Sequence, residues 1–327
     1  MLLKNLFFLL LILFSLENCI FANLPAIGGG GFRQDWEEKV ITGREAEKIL
    51  VIPIEGTISE ANRSSFFNGF EESTVSQVKE ALKFAERDRD IKGIILKINT
   101  PGGGVTASDI IYEEIMKFKR KRNIPIVAGF MDMATSGGYY IAMSADIIGA
   151  HPTTVTGSVG VITGGLNFKE GLDKVGIKDN SVTSGPNKTM NSSFQERNPE
   201  QRKIMQSIVD NLYDRFFQIV KRNRINISET KLKALCDGRI FSAEQAKSEG
   251  LIDFIGYFDD FQLAVMSHPK YSGPSMGNPR VILLLRGRGR VENIYQASMQ
   301  DRSLNLDVID KLVNPSYESK FQYLWNP

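Results

Sequence analysis

The chain is 327 residues long, 42% hydrophobic and 24% charged, with a formal net charge of +2. That is globular composition, long enough for one large or two small domains, and so small a net charge gives no bias toward nucleic acid. Two cysteines, one of them close to the N-terminus, and two histidines argue against a disulfide framework and against a zinc site.

Lys4 precedes an apolar run from Leu6 to Leu16, which Glu17 and Asn18 break. The run suits the hydrophobic region of a signal peptide and is short for a membrane span. Residues 1–22 therefore read as a signal peptide or membrane anchor. Cleavage after Ala22, lipid attachment at Cys19 and retention all stay open. The glycine run Gly28–Gly31 marks 23–48 as a linker and N-terminal extension.

Ile49–Gly56 reads as a buried strand. Thr74–Arg87 has helical periodicity, with Val75, Val78, Ala81, Leu82 and Ala85 on one face. Ile91–Asn99 is a second strand, Thr100–Gly104 a break, and Ala107–Phe118 a helix. The basic run Lys117–Arg122 reads as a solvated helix end, with attraction to an anionic membrane surface as the alternative. Ile124–Phe130 is a third strand, a helix opens at Ser136, and Ile147–Ala150 is a short strand. Strands alternating with helices predict a parallel α/β sheet with right-handed crossovers.

The second half is more helical. Pro199 to Lys221 forms a long helix with Ile204, Ile208, Leu212, Phe216 and Ile219 as its stripe, followed by shorter helices over Thr230–Leu235 and Ser242–Ser248. Beyond Ser267 the pattern weakens, with one edge strand predicted near "RVILLL". The domain boundaries that follow are 49–266 for the folded body and 267–327 for an extension of unknown role.

Three features carry possible chemistry. "INTPGGGV" follows a strand, at the carboxyl edge of the sheet where open α/β folds bind ligands. Its glycines make either a tight turn or a loop whose N–H groups hold an oxyanion, where losing one donor costs about 3 kcal/mol. Ser136 in "MATSGGYYIAMSAD" is either a helix N-cap or a nucleophile at a helix N-terminus. The glycine pair after it is odd for a cap, since glycine weakens a helix by about 1 kcal/mol, and it would clear space for a substrate backbone. Neither His151 nor His268 has an evident orienting carboxylate in the sequence, which leaves lysine as the base. A lysine base must be neutral near pH 7, a fall from about 10.4 that costs about 4 kcal/mol of desolvation. Lys188 stands among small polar residues, "TSGPNKTMNSS", and is either that base or an exposed loop lysine.

Together "INTPGGGV", "ATSGGYYIAMSAD", "TVTGSVGVI", "SGPNK", the long helix after them and "DGRIFSAEQAKSEGLID" occur in an order that resembles the SppA-type signal peptide peptidases. The resemblance runs from about Ile49 to Phe258. It implies a crotonase- or caseinolytic-protease-like spiral of ββα units with a helical C-terminal part, and a Ser-Lys dyad serine peptidase without metal or cofactor. By the same resemblance Ser136 is the nucleophile, Lys188 the general base, Gly103 and Gly137 the oxyanion donors, and Ser158 a hydroxyl that orients the lysine. It implies a homo-oligomeric ring in which Lys188 can serve a neighbour's Ser136. It also implies peptide substrates such as cleaved signal peptides, membrane association on the extracytoplasmic side, and no nucleic acid partner. The alternatives are a non-catalytic scaffold that binds peptides or membrane proteins, and a crotonase-like acyl-CoA enzyme, which gives Lys188 and Ser158 no role. The aromatic tail "FQYLWNP" has no periodic face of its own, so it is expected to pack on a neighbour or near the substrate groove.

Overall fold

The computed structural model describes residues 36–65, 69–196, 198–285, 293–294 and 321–325. Its strands are β1 (Glu37–Thr42), β2 (Lys48–Glu55), β3 (Arg63–Ser65), β4 (Gly69–Glu71), β5 (Ile91–Thr100), β6 (Gly102–Gly104), β7 (Ile126–Thr135), β8 (Ile147–Ala150), β9 (Val155–Gly157), β10 (Ile240–Ser242), β11 (Phe254–Ile255), β12 (Arg280–Leu285) and β13 (Gln322–Leu324). Its helices are α1 (Thr74–Arg87), α2 (Val105–Lys121), α3 (Gly137–Ala142), α4 (Lys169–Lys174), α5 (Pro199–Asn223), α6 (Glu229–Leu235), α7 (Ala243–Ser248) and α8 (Phe258–Met266). The leader 1–22, Cys19 and the glycine run lie outside the described residues. Among those residues no helix is long and apolar enough to cross a membrane.

The main sheet runs β1-β12-β2-β5-β7-β8-β11. Along this path all neighbours are parallel except β1, which pairs antiparallel with β12; off it, β9 lies parallel to β7 and β10 antiparallel to β9. The α/β class read from the alternation is therefore the observed one. The succession β5, β6, α2 is strand, short strand, helix, the ββα unit that the resemblance implies.

Strands buried on both faces read as near-continuous apolar runs, and here successive residues serve opposite faces. Leu50, Ile52, Ile54, Ile94, Leu96 and Ile98 face a core shared with α1, α2, α3 and α5. Ile49, Val51, Ile95 and Val127 face a second core closed by Phe258, Phe261 and Val265 of α8. That helix lies close to the sheet because Gly129 of β7 leaves room. A Cβ there would sit 2.5 Å from the Phe261 ring.

Two expectations change. β12 is not an edge strand, because the charged segment EEKVIT of β1 covers it. Residues assigned to the flanking extensions thus complete the sheet. The basic run is also more than a solvated helix end. Arg122 is buried, and its guanidinium donates to the carbonyls of Ala85 at 2.5 Å and Ile91 at 2.9 Å. Lys119 pairs with Asp146 and Lys121 with Glu86. The run clasps α1, α2 and the sheet together.

Candidate active site

β7 changes partners along its length. Val127–Phe130 pair with β8, whereas Met133–Thr135 pair with β9. This delivers Ser136 to a crowded junction. The Ser136 N–H donates to the Gly157 carbonyl at 2.8 Å, and its backbone takes φ 51° and ψ −110°. A φ of 51° belongs to the left-handed region only with a ψ near +45°, so with ψ −110° the pair lies outside the regions allowed to a side-chain-bearing residue, and the position stores strain of about 1–3 kcal/mol.

Ser136 occupies the N-cap of α3, but its hydroxyl does not cap the helix. The side chain is 1% exposed and its Oγ has no hydrogen-bond partner. The cap is thus positional only. The adjacent Thr135 Oγ1 is likewise buried without a partner. The glycine pair has a steric cause. A Cβ on Gly137 would lie 2.6 Å from Ser108 Oγ, and one on Gly138 2.6 Å from Thr100 Cγ2. Glycine lets α3 press against β5 and α2. The next two residues anchor it: Tyr139 donates to the Leu251 carbonyl at 2.7 Å, and Tyr140 to Asp109 Oδ1 at 2.5 Å. Burial holds both phenols protonated well above their usual range, with the Asp109 carboxylate adding to the effect at Tyr140.

The glycine segment is a strand rather than the break expected from its sequence. Ile58 pairs with one edge of β6: its N–H donates to Gly102 C=O at 2.9 Å, and its own carbonyl accepts from Gly104 N–H at 2.9 Å. That pattern uses the groups flanking Gly103, so the Gly103 N–H points the other way, into a groove. Gly102 takes φ 108°, and Thr100 Oγ1 accepts its N–H at 3.0 Å.

β13 lies in that groove, antiparallel to β6 with Tyr323 opposite Gly103. Val105 N–H donates to Phe321 C=O at 3.3 Å, and Trp325 N–H to Pro101 C=O at 2.9 Å. Opposed residues in an antiparallel ladder alternate between bonded and non-bonded pairs. Gly103 and Tyr323 are the bonded pair between those two, with the Gly103 N–H on the Tyr323 carbonyl. A Cβ on Gly137 would lie 3.2 Å from that same oxygen. The backbones of Gly103 and Gly137 therefore converge on one carbonyl, next to Ser136.

Ser158 follows β9 with φ 53°, its N–H on the Arg239 carbonyl at 2.7 Å. It is buried, and it follows Gly157, the residue that accepts the Ser136 N–H. Lys188 lies apart, exposed in a turn held by its N–H on Gly185 C=O at 3.2 Å. Since Ser136 Oγ has no partner, no hydrogen bond joins the two within one chain. The same observation separates Ser136 from both histidines. His151 Nδ1 meets Thr153 Oγ1 at 2.9 Å, and His268 Nδ1 accepts from Lys270 N–H at 3.1 Å.

The sequence reading leaves two parts of the site open: Thr135 is not singled out, and the tail's partner strand is not named. Thr135 gives no signal. The tail gave a faint one, aromatic residues without a face to bury.

Two family models match the chain: peptidase family S49 over residues 118–271, and the NfeD1b N-terminal domain over residues 48–175. A candidate signal peptide peptidase SppA of Enterococcus faecium is 38% identical over 230 residues, which cover 70% of this chain and 66% of that protein. A candidate protease of Synechocystis sp. is 35% identical over 225 residues, covering 69% of this chain and 74% of its own length. Protease 4 of Haemophilus influenzae is 32% identical over 213 residues, 65% of this chain but 33% of that larger protein.

Proposed function

The chain belongs to peptidase family S49, and we propose that it is a serine endopeptidase with Ser136 as nucleophile and Lys188 as general base. The observation that carries this reading is the Ser136 hydroxyl. It is buried and unpartnered, on a strained backbone, at the junction where the Gly103 and Gly137 backbones both lie against the Tyr323 carbonyl. Strain and an unsatisfied hydroxyl each destabilise the fold by about 1–3 kcal/mol, and such features cluster where function requires them.

Ser136 Oγ adds to the carbonyl carbon of a peptide while its proton passes to Lys188 Nζ. The oxygen, now anionic, is held by the N–H groups of Gly103 and Gly137. Collapse breaks the C–N bond, Lys188 returns the proton to the leaving amine, and an ester remains on Ser136. Water then gives a proton to Lys188 and attacks the ester, which frees the acid and restores Ser136. The Ser158 hydroxyl orients the lysine.

Lys188 reaches Ser136 from a second copy of the chain. Supporting this, Lys188 is exposed and belongs to a segment with much uncovered apolar surface: Leu166, Val175, Ile177, Val182 and Phe194 are all exposed. Ile204 and Ile208 on α5 extend that surface. Such a patch marks an interaction site, and a ring of copies covers it while desolvating the lysine. The substrates are unfolded apolar peptides, cleaved signal peptides among them, at the extracytoplasmic face of the membrane.

Mixing tests this. Ser136→Ala and Lys188→Ala are each expected to lose roughly 10⁴-fold in peptide cleavage. Unfolded together and co-refolded, they are expected to recover a fraction of wild-type activity, because some sites pair an intact serine with an intact lysine. Full activity in Lys188→Ala would remove that lysine from the mechanism. Two inactive variants without recovery would place the lysine and serine in one chain.

A further inference from the structure

β7 carries two residues more than its neighbour β5. Ile98 stands opposite Phe130 and Thr100 opposite Ala134, so two steps along β5 match four along β7, and Met131, Asp132 and Met133 together face Asn99. Such a bulge takes backbone groups out of the ladder, and they must be satisfied from elsewhere. Side chains on both edges of β7 satisfy them. From β5, Asn99 Oδ1 accepts the Met133 N–H at 3.1 Å. From the turn before β9, the buried Thr154 hydroxyl donates to the Met131 carbonyl, with the Phe130 carbonyl at 3.2 Å. The Phe130 carbonyl also accepts the His151 N–H at 2.9 Å. Where β9 takes over, the Thr156 hydroxyl donates to the Ala134 carbonyl at 2.7 Å. Asp132, between the two held residues, is exposed.

The insertion decides where Ser136 stands. Were the register of Ile98 and Phe130 continued, Thr100 would face Asp132, and Ser136 would overshoot its place by two residues, roughly 7 Å at the rise of an extended chain. Because the insertion is even, Phe130 before it and Ala134 after it keep the same core face. The bulge also coincides with the change of partner from β8 at Phe130 to β9 at Met133. Only Ala134 and Thr135 separate the Asn99 contact at Met133 from Ser136. We infer that Asn99 and Thr154 are positioning residues, whose side chains hold from both edges the bulge that sets Ser136 beside the glycine strand. Neither bonds to Ser136 Oγ, which has no partner, so both act through the backbone of β7. This rests on the peptidase reading.

A reacting group misplaced by about 1 Å loses on the order of 100-fold in rate. Asn99→Leu and Thr154→Val keep the size of each side chain and remove its hydrogen bonds to β7, whereas Thr154→Ser keeps the hydroxyl. The experiment compares these full-length variants with wild type on a fluorogenic peptide. It expresses kcat per Ser136 titrated to completion with a fluorophosphonate, and it follows the rate of that labelling by mass spectrometry. The titration counts folded sites only, so a loss of stability alone leaves both rates unchanged. The expected result for Asn99→Leu and Thr154→Val is a fall of about 100-fold in kcat and in labelling rate at unchanged KM, with Thr154→Ser within about threefold of wild type. Asn99 is half-buried, a place that tolerates a small polar residue. Asn99→Ser, too short to reach the Met133 N–H, therefore decides the matter if the apolar variants do not fold, and it is expected to fall as Asn99→Leu does. Variants that equal wild type per titrated site overturn the inference and leave the peptidase reading standing, as does a Thr154→Ser that falls as far as Thr154→Val. A wild type that neither cleaves peptides nor takes the label on Ser136 overturns the peptidase reading, and this inference with it.

Discussion

Replacing Ser136 by glycine should abolish catalysis and stabilise the fold. At φ 51° and ψ −110° a side chain strains the backbone by about 1–3 kcal/mol. The buried hydroxyl without a partner destabilises by about 1–3 kcal/mol more. Glycine adopts that backbone freely but gives back about 0.5–1 kcal/mol through its more flexible unfolded chain. The net gain is about 1–5 kcal/mol. Ser136→Ala removes the hydroxyl and keeps the strain, so it should gain about 1–2 kcal/mol less than the glycine variant. Urea unfolding at fixed protomer concentration reads both as shifts of midpoint at constant slope. A glycine variant no more stable than wild type would refute the strain argument, as would an alanine variant equal to it.

Other outcomes follow from the same contacts. Gly129→Ala sets a methyl 2.5 Å from the Phe261 ring and should cost about 1–3 kcal/mol; adding Phe261→Leu should recover much of that in a double-mutant cycle. Asp146 is partly buried, which raises its carboxyl pKa, but Lys270, the Ile126 N–H and Lys119 together hold it below the usual carboxylate range. A depressed carboxyl adds stability that is present above its unfolded pKa of about 3.9 and is lost as pH falls through the native value. Asp146→Asn should therefore lower the Tm at pH 7 and flatten its decline below about pH 4, as seen by calorimetry. Tyr140→Phe removes one of the donors to Asp109, leaving Arg215 at 2.6 Å, and should destabilise by about 1–2 kcal/mol in urea titrations.

How much of this was legible follows from where each signal resides. Thr74–Arg87 has the same bounds in sequence and structure because its apolar stripe and its Ser73 cap are both local. The sheet strands were legible because burial on both faces leaves apolar runs that little else explains. β6 reads as a break because glycine-rich sequence ordinarily is one. Its strand geometry comes from Ile58 and Tyr323, both remote in the chain. β1 is masked by its charge, since an edge strand half in solvent keeps few apolar residues. At the site, Ser136, Gly103 and Gly137 could be named from motif order, and the folded chain sets them side by side. The motif could not indicate that the hydroxyl leaves α3 uncapped, which depends on the ψ at that residue. Lys188 stands out by its small, uncharged neighbours, but only the resemblance chooses the base over an exposed loop lysine, and in the single chain no hydrogen bond joins it to Ser136.

The most direct measurement of the central claim is active-site labelling by a fluorophosphonate, read by peptide mass spectrometry. If Ser136 is a nucleophile activated by Lys188, the adduct forms on Ser136, disappears in Ser136→Ala and is largely lost in Lys188→Ala. An adduct on another serine, or full labelling of Ser136 without Lys188, contradicts it.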